Sequence, residues 1–205
     1  MPGTKEPEES RRAQILQAAY EVAARHGLSG LTVRLVATSA GLSPGLVLFH
    51  FKTKEHLLIA LLDWLLGTTS VLLVTADIAC IGSPIERLLA LLEREMDRLS
   101  SEPCRIRLFF EYWIVGIRSP GVRRKMGAEL ARYRAAFRPI AAEVLAADAD
   151  RFAGVTPAGL AAVAVSFIKG CAVQSMIDPG QFDIAEYLRA AHALLDQLAP
   201  IDHAV

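Results

Sequence analysis

Within residues 32–55 the side chains able to meet an anion include the hydroxyls of Thr32 and Ser43 and the guanidinium of Arg34 at two expected helix starts, and the ammonium groups of Lys52 and Lys54 where the second helix closes. A hydroxyl that caps a helix leaves the first backbone N–H groups pointing outward, and with a cation nearby such an end binds phosphate. The apolar residues in between say how the helices are held. Ala37 is followed four residues later by Gly41 and ten later by Val47, with Val36, Ala40 and Leu42 around them. A small Ala37 lets two helices cross closely, Gly41 takes the positive φ that ends the first abruptly, and Val47 seats the second on the first. Ser43 then caps the second helix, with Pro44 at its first position, where a missing N–H costs nothing. This is the spacing of a helix-turn-helix, and it implies DNA binding.

The flanking residues extend the pattern. Upstream lie Arg12, Ile15, Leu16, Ala18, Ala19, Val22, Ala23, His26 and Gly27; downstream run Phe51, Lys52, Thr53, Lys54, Glu55, His56, Leu57 and Leu58. Over roughly residues 11–58 the chain resembles the amino-terminal domain of TetR-family transcriptional regulators, while beyond residue 60 the resemblance is architectural only. It implies a DNA-binding domain over 10–55 and a ligand-binding and dimerisation domain over 56–205, following a disordered tail at 1–9.

Composition agrees. A chain of 205 residues with 53% hydrophobic content buries a sizeable core. Zero formal charge looks wrong for a DNA binder, but the distribution removes the objection. Residues 10–60 hold Arg11, Arg12, Arg25, Arg34, Lys52 and Lys54 against only Glu21 and Glu55, so the head is basic and the remainder offsets it. A second basic stretch, Arg105, Arg107, Arg118, Arg123, Arg124, Lys125, Arg132, Arg134 and Arg138, faces only Glu111 and Glu129. Such runs are usually solvated helix faces; the alternatives are an anionic effector or an addition to the field of the head.

No enzyme constellation assembles. His26, His50, His56, His192 and His203 show no paired metal spacing, and neither a Gly-x-Ser-x-Gly nor a phosphate-binding loop occurs. We expect no catalytic residues, no metal and no cofactor. Cys80, Cys104 and Cys171 are odd in number and widely spaced, which suits a reducing cytoplasm and small buried hydrophobes rather than disulfides. The start of the chain is polar, with no secretory signal.

Downstream the punctuation is helical: Ser83-Pro84-Ile85-Glu86, Pro103, Ser119-Pro120, Thr156-Pro157 and Asp183 open helices, and Gly82, Ser119, Gly154 and Asp178-Pro179-Gly180 break them. The helix from Pro84 should bury Leu88, Leu89, Leu92, Met96 and Leu99. No alternating strand pattern appears, so the fold is all-α with about nine helices. Residues 57–76 have spanning length and one charge, Asp63, which admits a membrane anchor. Burial among other helices is the preferred reading, because no cation lies between Lys54 and Arg87 to anchor the far end. We expect no membrane partner.

Site residues follow. Thr32 and Ser43 hold phosphates through helix ends; by resemblance, Arg34 reaches a base edge and Lys54 a phosphate, while Pro44, Gly45, Leu46, Leu48 and Phe49 face the groove. His50, in the recognition helix, contacts phosphate or packs. Many relatives carry a tyrosine where Leu48 stands and a polar residue where Leu46 stands, so this helix offers almost no side-chain hydrogen bonds. Trp64, Phe109, Trp113, Tyr133, Phe137 and Phe167 are candidates for an apolar small-molecule pocket, although aromatics at helical spacing also build cores. Small residues at Ala158, Gly159, Ala161, Ala162, Ala164, Ser166, Gly170 and Ala172 suit a helix–helix seam, and the resemblance places a homodimer interface on helices at about 157–176 and 184–198. The expected function is a ligand-responsive regulator, a repressor by resemblance. It would bind a palindromic double-stranded DNA operator as a dimer and be released by a small, largely apolar effector. The alternative is a helix-turn-helix DNA-binding protein without an effector.

Overall fold

The computed structural model describes residues 8–67, 75–150 and 152–196. These form ten helices and no strand: α1 Glu8–Gly30, α2 Val33–Ala40, α3 Pro44–Phe51, α4 Lys54–Gly67, α5 Ala76–Ala79, α6 Pro84–Ser101, α7 Pro103–Arg118, α8 Pro120–Ala147, α9 Pro157–Ile177 and α10 Ile184–Asp196. The all-α expectation holds. The tenth helix is the single turn α5, too short to leave a periodic signal. Of the expected tail, residues 1–7 lie outside the described residues, and Glu8 and Glu9 already belong to the first turn of α1, where carboxylates favour a helix N-terminus. The apolar stretch 57–76 lies in α4 as far as Gly67; residues 68–74 lie outside the described residues.

The helix boundaries come from the residues that announced them. Thr32 Oγ1 accepts the Leu35 N–H at 3.2 Å, Ser43 Oγ the Leu46 N–H at 3.2 Å, and Thr156 Oγ1 the Gly159 N–H at 3.1 Å. Asp183 Oδ1 accepts from the N–H groups of Ala185 and Glu186. Gly41 has φ 67°, and its N–H together with that of Leu42 closes the last turn of α2. This left-handed step turns the chain by 109° between α2 and α3, within the range of helix-turn-helix pairs.

The chain divides into two compact units, Met1–Thr69 with Cys104–Gly127, and Ser70–Pro103 with Ala128–Val205. The first holds the three head helices, α4, nearly all of α7 and the start of α8. Its core joins Ile15, Ala19 and Val22 of α1, Val36 and Ala37 of α2, Val47 and Phe51 of α3, Leu57, Leu61 and Leu65 of α4, and Leu108 and Tyr112 of α7. Each large side chain here removes enough apolar surface from water to contribute about 1.5–3 kcal/mol. The sequence boundary at 55/56 therefore falls inside one packed unit.

The second unit is built on α6, the rest of α8, α9 and α10. Leu88, Leu89, Leu92 and Met96 of α6 are buried as expected, with Phe137 and Val144 of α8 and Leu160, Ala164 and Ile168 of α9. Side-chain placement of Leu99 lies outside the described residues. Cys171 is buried, whereas Cys80 and Cys104 are exposed. This corrects the expectation of three buried thiols: α5 and the first turn of α7 put the other two on the surface. Among the described helices, only α9 is long and apolar enough to cross a membrane.

Candidate functional site

The two helix-turn-helix elements are positioned by α1. Arg12 Nη1 donates to the His50 carbonyl at 2.7 Å, and its guanidinium lies 4.5 Å from the centre of the Phe51 ring. Gln14 Nε2 donates to the Ala40 carbonyl at 2.9 Å. Both acceptors belong to helix C-terminal turns, where carbonyls lack intrahelical partners and a cation is favoured. Sequence reasoning placed Arg12 in the pattern without this role, because its acceptor is a backbone atom 38 residues away.

On the outer side of this scaffold Thr32, Arg34, Ser43, Pro44, Gly45, Leu48, Phe49 and Lys54 are exposed, while Leu46 and His50 are partly buried. Phe49 is 73% exposed and Leu48 40%, so α3 presents hydrocarbon where it is barest. The His50 ring stands edge-on to Phe49 at 5.3 Å, and its buried Nδ1 has no hydrogen-bond partner. Thr53 accepts the His56 N–H at 3.1 Å and so caps α4 beside Lys54. That adds a third capped helix start, which the sequence reading missed although Thr53 precedes Lys54 as Thr32 precedes Val33. Lys52 closes α3 at φ 62°, a left-handed value unusual for lysine.

Behind the head, α7 is tied to α1. Gly27 bends α1 at φ 70°, ψ 170°, which frees the Leu28 N–H to donate to Glu111 Oε2 at 2.5 Å. Arg107 donates to the Ala24 carbonyl and lies 3.7 Å from Glu111. A Cβ at position 27 would meet the Glu111 carboxylate at 3.1 Å, so Gly27 is needed both for its backbone angle and for space. Tyr112 donates to the Leu58 carbonyl of α4 at 2.8 Å, and burial pushes its phenol pKa well up. Asp63, the lone charge of the apolar stretch, accepts from Lys125 at 2.5 Å.

The six aromatic candidates fall into two sets. Trp64, Phe109 and Trp113 pack, partly buried, against the first core, with Trp64 5.5 Å from Tyr20. In the second unit Tyr133 and Phe137 stand edge to face at 5.9 Å, Phe137 is fully buried, and Phe167 lies against Tyr187 at 6.4 Å. The Tyr133 hydroxyl donates to Glu95 Oε2, a partner that no sequence pattern indicated. Of the basic stretch, Arg105, Arg107 and Arg123 donate to backbone carbonyls and Arg132 pairs with Glu129 at 2.9 Å.

This geometry meets its counterpart in known proteins. Residues 15–61 match the model of bacterial regulatory proteins of the tetR family, and residues 84–200 match that of the BetI-type transcriptional repressor C-terminal domain. The chain belongs to the TetR family. The protein is a DNA-binding transcriptional regulator. It is 29% identical over 191 residues, 93% of either chain, to the HTH-type transcriptional regulator BetI of Paraburkholderia phymatum. It is also 40% identical over 94 residues to the HTH-type transcriptional repressor KstR2 of Mycolicibacterium smegmatis, a match covering 44% of this chain and 43% of that protein. A putative transcriptional regulator from Saccharomonospora viridis in complex with choline shares the TetR fold at a TM-score of 0.69 and 16% identity, over 92% of this chain and 96% of its own.

Proposed function

We propose that this TetR-family protein is a repressor that binds a palindromic operator as a homodimer and releases it when a small molecule binds the helical core. The observation that carries the DNA half is the exposed surface of α2, α3 and the start of α4. Three capped helix starts and Lys54 supply phosphate contacts, Arg34 is exposed in the first turn of α2, and Leu48 and Phe49 are exposed on α3. In this reading the helix ends at Thr32 and Ser43 hold phosphates, Lys54 neutralises one, Arg34 reads a base edge, and Pro44, Gly45, Leu46, Leu48, Phe49 and His50 lie along the major groove. With hydrocarbon foremost on α3, discrimination comes from thymine methyls and groove shape in addition to Arg34.

The dimer reading is supported by a single apolar stripe on α9. Val163, Ser166, Gly170, Val173 and Ile177 recur at intervals of three and four; Val163, Val173 and Ile177 are 49%, 37% and 79% exposed, as is Leu194 of α10 at 62%. Ala161, Ala164 and Ala172 are buried within the chain itself, so only the outward members of the small-residue run serve a seam. The effector reading is supported by the aromatic rings with surface to spare, Trp64, Phe109, Trp113 and Phe167, alongside Tyr133 and Phe137, and by the choline-bound neighbour.

Operator selection from random DNA followed by salt-dependent titration tests these points. Affinity should fall steeply with salt. Arg34→Ala should cost about 1–3 kcal/mol and relax one position per half-site, whereas Lys54→Ala should weaken all sequences alike. Uracil in place of a contacted thymine removes only the methyl, and unchanged binding at every position would rule out methyl readout. Gly170→Glu, whose Cβ would meet nothing closer than the Tyr187 hydroxyl at 3.8 Å, should leave the fold intact and give a monomer. A wild-type protein sedimenting as a concentration-independent monomer would refute the dimer.

A further inference from the structure

Glu95 of α6 is the one charged side chain among the described residues that is buried, at 3% exposure. Its carboxylate is already fully engaged. Arg98, one turn on, donates from Nε at 3.2 Å to Oε1 and from Nη2 at 2.9 Å to Oε2, and the Tyr133 hydroxyl of α8 donates to Oε2 as well. From α9 a second cation enters the same place: Lys169 is partly buried, with Nζ 4.6 Å from the centre of the Tyr133 ring. Among the described residues it has no carboxylate within ion-pair distance. Glu129, the other acid whose field reaches it, is held by Arg132 at 2.9 and 3.0 Å.

With Glu129 held by Arg132, the cluster sets two cations, Arg98 and Lys169, against one anion, Glu95, and its excess is positive. Burial pushes the Lys169 ammonium below the ordinary lysine range, and Glu95 opposes the shift without forming a bond to it. A quaternary ammonium brought here would meet Arg98 and Lys169, with Glu95 and Glu129 both already paired. An anion would meet an ammonium whose donors lack a hydrogen-bond acceptor, in a setting where charge-assisted bonds are stronger than at the surface.

We propose that the effector of this regulator carries a single negative charge, a carboxylate on an apolar body, and that Lys169 is the residue that binds it in the α6–α8–α9 core. The inference rests on the effector reading above and adds the charge of the ligand and its anchor. One excess positive charge matches a monoanion and disfavours a cation at the same place.

The test uses the full-length protein on its selected operator and a panel of probes matched in shape: straight-chain carboxylates from butyrate to dodecanoate, benzoate and phenylpropionate. Each is set against the trimethylammonium ion and the alcohol of the same skeleton. Thermal stabilisation and operator release should appear with carboxylates and be weaker or absent with their cationic and neutral counterparts. Lys169→Met should lower carboxylate affinity about 10- to 100-fold, the cost of one hydrogen bond to a charged group, with operator binding in the absence of probe unchanged. Lys169→Arg, which keeps the charge, should retain the preference. Release by ammonium or alcohol members and not by carboxylates would overturn the inference while leaving the effector reading standing, as would a carboxylate response untouched in Lys169→Met. Operator binding indifferent to every probe would count against both.

Discussion

In the unit that carries the head, the polar side chains that bridge helices mostly end on backbone: Arg12 on the His50 carbonyl, Gln14 on Ala40, Arg105 on Leu65, Arg107 on Ala24, Tyr112 on Leu58, and Glu111 on the Leu28 N–H. In the other unit most end on one another: Glu95 with Tyr133, Arg87 with Glu143 at 2.5 Å, Arg94 with Asp77 at 2.6 Å, with Tyr187 on the Phe167 carbonyl the exception. Lys125 with Asp63 and Ser119 with Glu55 are exceptions in the first unit. Backbone acceptors exist whatever the neighbouring residue is, so that arrangement fixes helix positions and tolerates sequence change. Side-chain pairs depend on two residues at once, and they leave a unit free to differ from relative to relative in the charge it presents inside.

The comparison breaks most visibly at Glu95. Glu95→Ala strands Arg98 and Lys169 without their counter-charge, and loss of one partner of a buried pair costs about 3–5 kcal/mol; urea unfolding should show that loss. If Glu95→Ala unfolds at nearly the wild-type midpoint, the second unit does not depend on its internal pair. A smaller effect is expected where the first unit ends on backbone. Glu111→Ala leaves the Leu28 N–H without its acceptor, for a loss of about 1–3 kcal/mol, and Glu111→Gln, which keeps an acceptor oxygen, should recover most of it. Equal losses in the two variants would mean that the carboxylate's charge, through Arg107, is what holds α7 to α1. The smallest effect is local and stabilising. Lys52→Gly relieves a left-handed residue, a strain of about 1–2 kcal/mol, offset in part by the entropy glycine adds to the unfolded chain; calorimetry should place the net gain at or below about 1 kcal/mol. A lowered melting temperature would show that the lysine side chain stabilises the end of α3 more than its backbone strains it.

Much of the head was legible before any coordinates. Thr32, Gly41, Ser43 and Pro44 act within four residues of themselves, through caps and one left-handed turn, and local chemistry of that kind is written in the order of residues. Thr53 belongs to the same class and was overlooked although the apolar run from Leu57 marks the helix it caps. The aromatic candidates were harder, because the type and spacing of Tyr133 or Phe137 say that a ring faces inward without saying what stands opposite. The single turn α5 was likewise hidden, since four helical residues leave no periodic signal.

By itself, the order of residues determined an all-helical chain, a helix-turn-helix with its two caps and its glycine, a basic head, and an α3 rich in hydrocarbon side chains. Each follows from interactions spanning a turn or two of backbone. Only the tertiary structure decided that Arg12 and Gln14 hold the ends of α3 and α2, that Gly27 and Glu111 join α1 to α7, and that Lys169 reaches a place where Glu95 is already taken. Those partners lie 26 to 83 residues apart, or are divided among three helices. Packing alone brings such groups within bonding distance, and the charge left over inside the second unit is a property of the packed cluster that no single residue in it carries.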